Sequence, residues 1–360
     1  MTLRRTLPLA AAVAWAITLA CAMVPLRAPA ATPGNAAPTA AGPPLRLAGR
    51  TPLPGYAGDF DHLLADVPGG RLFVAGEDGS SLEVFDLASG RHLRTVKGFD
   101  APHALHLEAT TRRLVVSDTG PGLTRVLDAD TLAPVTLPQP IPAGDSMAYD
   151  ASTGRLWLVT GGKNAVPKQR DTALLQIDAR TLKVLGRVRI DSDFTEGIAF
   201  EQRGRRAFVN VAGKSEVLVL DKRTGQVLAT WPVTAGQSNS PIALDEPSQL
   251  LFVVTRKPFK LVVIDTRSGA SVASFDVPAR TNQLLFDAAQ RRLYATGDGC
   301  VAVFDELGPD RYAPRACVPS AQGAKTGLLV PAMHSLFVAV SPGSSHATAA
   351  LLRYAVLPRP

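Results

Sequence analysis

Seven polar residues recur along the 360-residue chain at intervals of 42, 42, 51, 44, 42 and 43: Asp61, His103, Asp145, Glu196, Ser240, Asn282 and Lys325. Together they offer three carboxylates, an imidazole, an ammonium and two neutral groups, with His62 beside Asp61. Carboxylates and an imidazole gathered around one axis suit a divalent or organic cation, and the full set suits a polar small molecule. For a metal the candidate ligands are Asp61, His103, Asp145 and Glu196. Three carboxylates in one ring repel one another unless Lys325, His103 or a bound cation compensates. The plain alternative is a solvated lining. No HxxxH, HExxH, CxxC, CxxCH or GxSxG spacing and no phosphate-cradling glycine loop accompanies the set, so no catalytic residue is assigned and the reading leans toward binding rather than catalysis.

The elements that would position these residues are repeats. Each stands ten positions before a short apolar run: RLFVAG (71–76), RLVVSD (113–118), RLWLVT (155–160), RAFVNV (206–211), LLFVVT (250–255), RLYATG (292–297) and SLFVAV (335–340). A second run follows about eleven residues after each start, as in LEVFD (82–86), VLVLD (217–221) and LVVID (261–265). Its final Asp leads into turns such as Lys222-Arg223-Thr224-Gly225, where the carboxylate accepts turn amides and Gly supplies a positive φ. A third run follows (HLRTV, 92–96; VLATW, 227–231) and another precedes each anchor (GIAFE, 197–201; PIALD, 241–245).

Four antiparallel strands in about 44 residues is the period of a β-propeller blade, and seven copies predict an all-β, seven-bladed ring. The last copy lacks its outer strand, while LRLAGRTPL (45–53) has no blade of its own. It is expected to complete blade 7 and close the ring. The seven polar residues then sit at one end of the innermost strands, above mostly apolar positions such as Leu105, Met147, Ile198, Ile242 and Leu284.

The repeat resembles that of the YncE-like bacterial propellers with YVTN-type repeats. Ser240-Pro241-Ile242-Ala243-Leu244-Asp245, Leu251-Phe252-Val253-Val254 and Val262-Val263-Ile264-Asp265-Thr266-Arg267-Ser268-Gly269 carry it most clearly. It extends over all seven copies and implies the propeller fold. Its relatives include binding proteins, uncharacterised secreted proteins and propeller subunits of quinoprotein amine dehydrogenases. The leading expectation is an exported binding or scaffold propeller. The alternatives are a metal-assisted, lactonase-like hydrolase, for which Asp145, Glu196 and Asn282 are suitable residue types, and a propeller subunit of a periplasmic oxidoreductase.

The third copy carries extra residues in 161–172, GGKNAVPKQRDT, a loop expected on the face of the polar ring. With 256–260 of the fifth copy it would place Lys163, Lys168, Arg170, Arg256, Lys257 and Lys260 around the mouth, a basic rim for an anionic partner, nucleic acid included. Phe259 adds a stacking surface. A recurring acid five positions before the anchors (Asp66, Glu108, Asp150, Glu201, Asp245, Asp287) reads as a turn cap. Cys300 and Cys317 flank the turn near 306–310 symmetrically and are expected to form a cross-strand disulfide.

Composition and the N-terminus set the context. The chain is 46% hydrophobic and 6% aromatic, with 30 Gly and 29 Pro, which supports a sizeable core and disfavours long helices. Arg4 and Arg5, the uncharged run from Leu9 to Val24 and Ala28-Pro29-Ala30 read as an export signal (1–30) cleaved after Ala30. Residues 31–44, ATPGNAAPTAAGPP, read as a disordered spacer before a propeller over 45–360. Acylation at Cys21 is the competing outcome, with Thr18 poorly matched to a lipobox. A periplasmic or secreted monomer with no membrane span after cleavage is expected. Without Arg4, Arg5 and Arg27 the count is 35 basic against 31 acidic residues, a net of +4. That excess is too small to argue by itself for a dedicated nucleic-acid binder. A divalent cation at the channel mouth is the one cofactor candidate.

Overall fold

The repeated runs form strands whose burial follows their place in a blade. Second strands such as Arg71–Gly76 and Leu250–Arg256 are buried almost throughout, because adjacent blades cover both their faces. Outer strands such as His92–Lys97 and Val227–Pro232 alternate half-buried and exposed residues, as one-sided edges do. The structure, a computed structural model, describes residues 42–308, 311–342 and 348–359. The proposed export signal and nearly all of the spacer lie outside the described residues. Among those described, no helix is long and apolar enough to cross a membrane.

The strands form seven antiparallel sheets, one per repeat. Each innermost strand touches the innermost strands of its neighbours, and Leu63–Asp66 of blade 1 meets Thr326–Val330 of blade 7, so the ring is closed. The protein is an all-β, seven-bladed β-propeller. Leu45–Leu53 pairs antiparallel with Ala349–Val356, from Leu45 opposite Val356 to Leu53 opposite Ala349, and is the outer strand of blade 7.

The apolar core is distributed between blades. Each of the seven blade interfaces has its own cluster, such as Phe60, Leu72, Phe85, Phe337 and Leu351 between blades 7 and 1. Fully burying one such phenylalanine stabilises the fold by roughly 1.5–3 kcal/mol. The recurring turn acids do cap turns: Asp66 accepts the Gly69 N–H at 3.0 Å, and Asp287 accepts those of Ala289 and Gln290. They also tie blades together. Arg112 of blade 2 grips Asp66 of blade 1 with both terminal nitrogens at 2.9 and 2.6 Å, and the Tyr312 hydroxyl of blade 6 donates to Asp245 of blade 5 at 2.9 Å.

Two details correct the sequence expectations. Blade 2 has three strands, not four. Its outer segment carries Pro134, Pro138, Pro140 and Pro142, which cannot donate to a ladder, and only isolated bridges join Leu127 to Pro134 and Leu123 to Pro142. Cys300 and Cys317 form the expected disulfide, with Cα atoms 5.6 Å apart, but they are not directly opposite. Bulges near Val303 and Glu306 shift the register so that Cys317 faces Ala302 and Cys300 faces Pro319.

Candidate functional site at the channel mouth

The ring residues are fixed by backbone hydrogen bonds to the second strand of their own blade. The N–H groups of Asp61, Glu196, Ser240 and Asn282 donate to the carbonyls of Ala75, Asn210, Val254 and Thr296 at 2.9, 2.8, 2.9 and 3.3 Å. A shared register in successive blades aims the side chains at one axis. Asp61, His103, Asp145, Glu196, Ser240, Asn282 and Lys325 all line a single cavity of about 540 Å³, together with His62. Met147, Ile198, Ile242 and Leu284 contribute apolar surface to it.

The cavity is divided by charge. On the side of blades 1 to 3, His103 Nδ1 lies 2.8 Å from Asp61 Oδ2 and 3.1 Å from Asp145 Oδ1. Burial disfavours the Asp61 carboxylate, but His62, His103 and Lys325 outweigh it and hold the group below the ordinary carboxylate range. Burial likewise disfavours a charged His103, yet the Asp61 hydrogen bond and the charges of Asp61, Asp145 and Glu77 push the imidazole up to about 9. Lys325 bridges Asp59 at 2.8 Å and Glu77 at 3.6 Å, and Arg280 joins Asp59 at 2.7 Å.

Opposite them, Arg256 Nη2 donates to Ser240 Oγ at 2.9 Å and Asn282 Oδ1 at 2.8 Å and stands 3.7 Å from Glu196. Lys163 Nζ sits 3.1 Å from the centre of the Phe194 ring. Burial and the Asp145 charge push the Glu196 carboxyl up to about 8, against the pull of Arg256. The long loop of blade 3 does fold over this mouth: Asn164 donates to Asp145 Oδ2 at 3.2 Å, and the Lys163 N–H donates to the Asp193 carbonyl at 2.8 Å. That approach requires glycine at position 162, where φ is +72 and a Cβ would stand 2.2 Å from the Asp193 oxygen.

Of the expected basic rim, Lys163 and Arg256 line the cavity; Lys168, Arg170, Lys257 and Lys260 do not. Lys168, Arg170 and Lys257 point to solvent, and Lys260 pairs with Asp276 at 2.7 Å. The sequence reading missed Glu77, Thr119 and Phe194. Glu77, Thr119 and Arg256 each stand six positions after an anchor start, at or just past the end of the second strand, so a second column of the repeat would have revealed them. Of the four residues expected to hold a metal, Asp61 and His103 converge with Glu77, whereas Glu196 faces Arg256 and Ser146.

No protein-family model matches the chain. It is 25% identical over 201 residues to "Uncharacterized protein YncE" of Salmonella typhimurium, covering 54% of each chain. It is 31% identical over 149 residues to the protein of that name from Escherichia coli K12, covering 40% of this chain and 41% of that one. The chain resembles the YncE proteins over these stretches. The match spans about half the length of these curated relatives or less. A chain in the crystal structure of a mitotic checkpoint complex superposes with a TM-score of 0.66 at 14% identity, covering 90% of this chain and 97% of that one. That likeness concerns the fold alone.

Proposed function

We propose that this YncE-like propeller is an exported binding protein whose channel mouth takes a small polar molecule with an anionic group. The observation that carries the reading is the convergence of one polar residue from each of seven blades on a cavity of about 540 Å³. Such a volume is the size of an ordinary small-molecule site. Lys163 and Arg256 would receive the anionic end, Ser240 and Asn282 would supply neutral hydrogen-bonding groups, and the apolar surface of Met147, Ile198, Ile242 and Leu284 would take the carbon skeleton. Lys163 stands over the Phe194 ring and lines the cavity. The disulfide supports an oxidising compartment, the periplasm or outside the cell, and a monomer fits a ring whose closure is internal.

The test is a thermal-shift panel of amino acids, dicarboxylates, nucleotides and short oligonucleotides on the wild type and on Lys163→Ala/Arg256→Gln. The reading expects a small anion or zwitterion to raise the melting temperature of the wild type and to lose most of that effect in the variant. Stabilisation by oligonucleotides alone would move the function to the exposed Lys168, Arg170 and Lys257. No response from any small molecule would remove the proposal.

One observation favours the hydrolase alternative, namely Glu196. A buried carboxyl held up to about 8 in a cavity is suited to proton transfer near neutral pH.

A further inference from the structure

We infer that the acidic half of the channel mouth is a divalent-cation site built by Asp61, Glu77 and His103, with Asp145 beside it. The inference deepens the reading of this cavity as a ligand site and rests on it. One ligand atom from each of Asp61, Glu77 and His103 lies within 4.8 Å of the others, a span that one ion can bridge. Asp145 Oδ1 stands 3.1 Å from His103 Nδ1, on the imidazole nitrogen that also faces Asp61. Asp61 and His103 are held at the inner ends of blades 1 and 2, and both are buried. Glu77 enters from the turn that follows Arg71–Gly76 of blade 1. The donors thus come from rigid elements rather than from one mobile loop, as a preorganised site needs.

Charge points the same way. The connected network contains the carboxylates of Asp59, Asp61, Glu77 and Asp145 but only two permanent cations, Lys325 and Arg280. With His103 neutral, as a metal ligand must be, it is short of two positive charges, the charge a divalent ion brings as it displaces the His103 proton. Two carboxylates with one imidazole suit Mn²⁺, Fe²⁺ or Zn²⁺ better than Ca²⁺ or Mg²⁺, which prefer all-oxygen sets, and the absence of sulfur disfavours Cu⁺. Lys325 closes one flank against Glu77 and Asp59, leaving the ion to enter from the cavity side.

The experiment is isothermal titration calorimetry of the full protein with Zn²⁺, Mn²⁺, Mg²⁺ and Ca²⁺ and no organic ligand, supported by the visible spectrum of the Co²⁺-loaded protein. We expect one equivalent of Zn²⁺ or Mn²⁺, bound at least ten-fold more tightly than Mg²⁺ or Ca²⁺. Glu77→Gln and His103→Gln should each weaken it by about ten- to a hundred-fold, with circular dichroism showing the sheet intact. Lys168→Ala, exposed and outside the cavity, should change the affinity less than about three-fold. Asp61→Asn offers the same test should His103→Gln fail to fold. No bound Zn²⁺ or Mn²⁺ at millimolar concentration would overturn the site, as would equal binding by the Glu77 and His103 variants. A failure here leaves the Lys163 and Arg256 half of the cavity to be judged by the small-molecule panel.

Discussion

Glu196 is a carboxyl whose charge is set by its surroundings rather than by its own chemistry. Its folded pKa lies above the ordinary value of about 4.3, so between the two the folded chain holds a proton that the unfolded chain has released. The contribution of this group to stability is therefore intact below about pH 4.3 and is lost as pH rises toward 8. Glu196→Gln should flatten that fall, and its melting temperature relative to the wild type should climb between pH 5 and 8. A difference that stays constant over that range would contradict the assignment. The column of polar residues was legible because a propeller repeats its register, whereas their pairing was not. Nothing in the spacing says that Arg256 reaches across to Asn282 and Ser240, or that Lys325 turns to Asp59 and Glu77.

At the scale of elements, the loop after Arg155–Gly161 decides how the mouth is furnished. Gly162→Ala must both hold a positive φ and displace the Asp193 carbonyl, whereas Gly154→Ala meets the first cost alone, with open space around its Cβ. Both substitutions should cost on the order of 1 kcal/mol from backbone strain. Only the first should also weaken small-molecule binding, through loss of Lys163 and Asn164 from the cavity. Equal effects on binding would show that the loop does not matter. The Cys300–Cys317 disulfide closes a short hairpin with a separation of 17 residues, and the Cys300→Ser/Cys317→Ser double variant should lose roughly 3 kcal/mol in denaturant unfolding. An unchanged midpoint would mean that the hairpin is equally ordered without it. The pairing followed from composition and spacing, but its diagonal geometry did not, because bulges leave little trace in an apolar pattern. The missing strand of blade 2 was written in its prolines; the period of the repeat outweighed them.

For the whole molecule, stability lies in the seven interfaces between blades and in the junction that closes them. Blade count and closure were readable because a strand without a blade and a blade without a strand stood at the two ends of the repeat. Removing residues up to Leu53 would uncover the Ala349–Val356 edge and lose the buried Leu45 and Leu53. The shortened chain should melt far below the wild type and self-associate, as followed by calorimetry and gel filtration. A monomer with the wild-type melting temperature would refute closure by this strand. The ring also explains why one cavity collects residues from positions 61 to 325: only a closed ring brings seven distant inner strands to a common axis. The most direct test of that cavity as a ligand site is native mass spectrometry of the wild type and Lys163→Ala/Arg256→Gln after incubation with the small-molecule panel. The account expects a one-to-one adduct on the wild type that is weakened at least ten-fold in the variant, which loses two charged hydrogen-bond donors. Adducts of equal abundance on both proteins, or none on either, would contradict it.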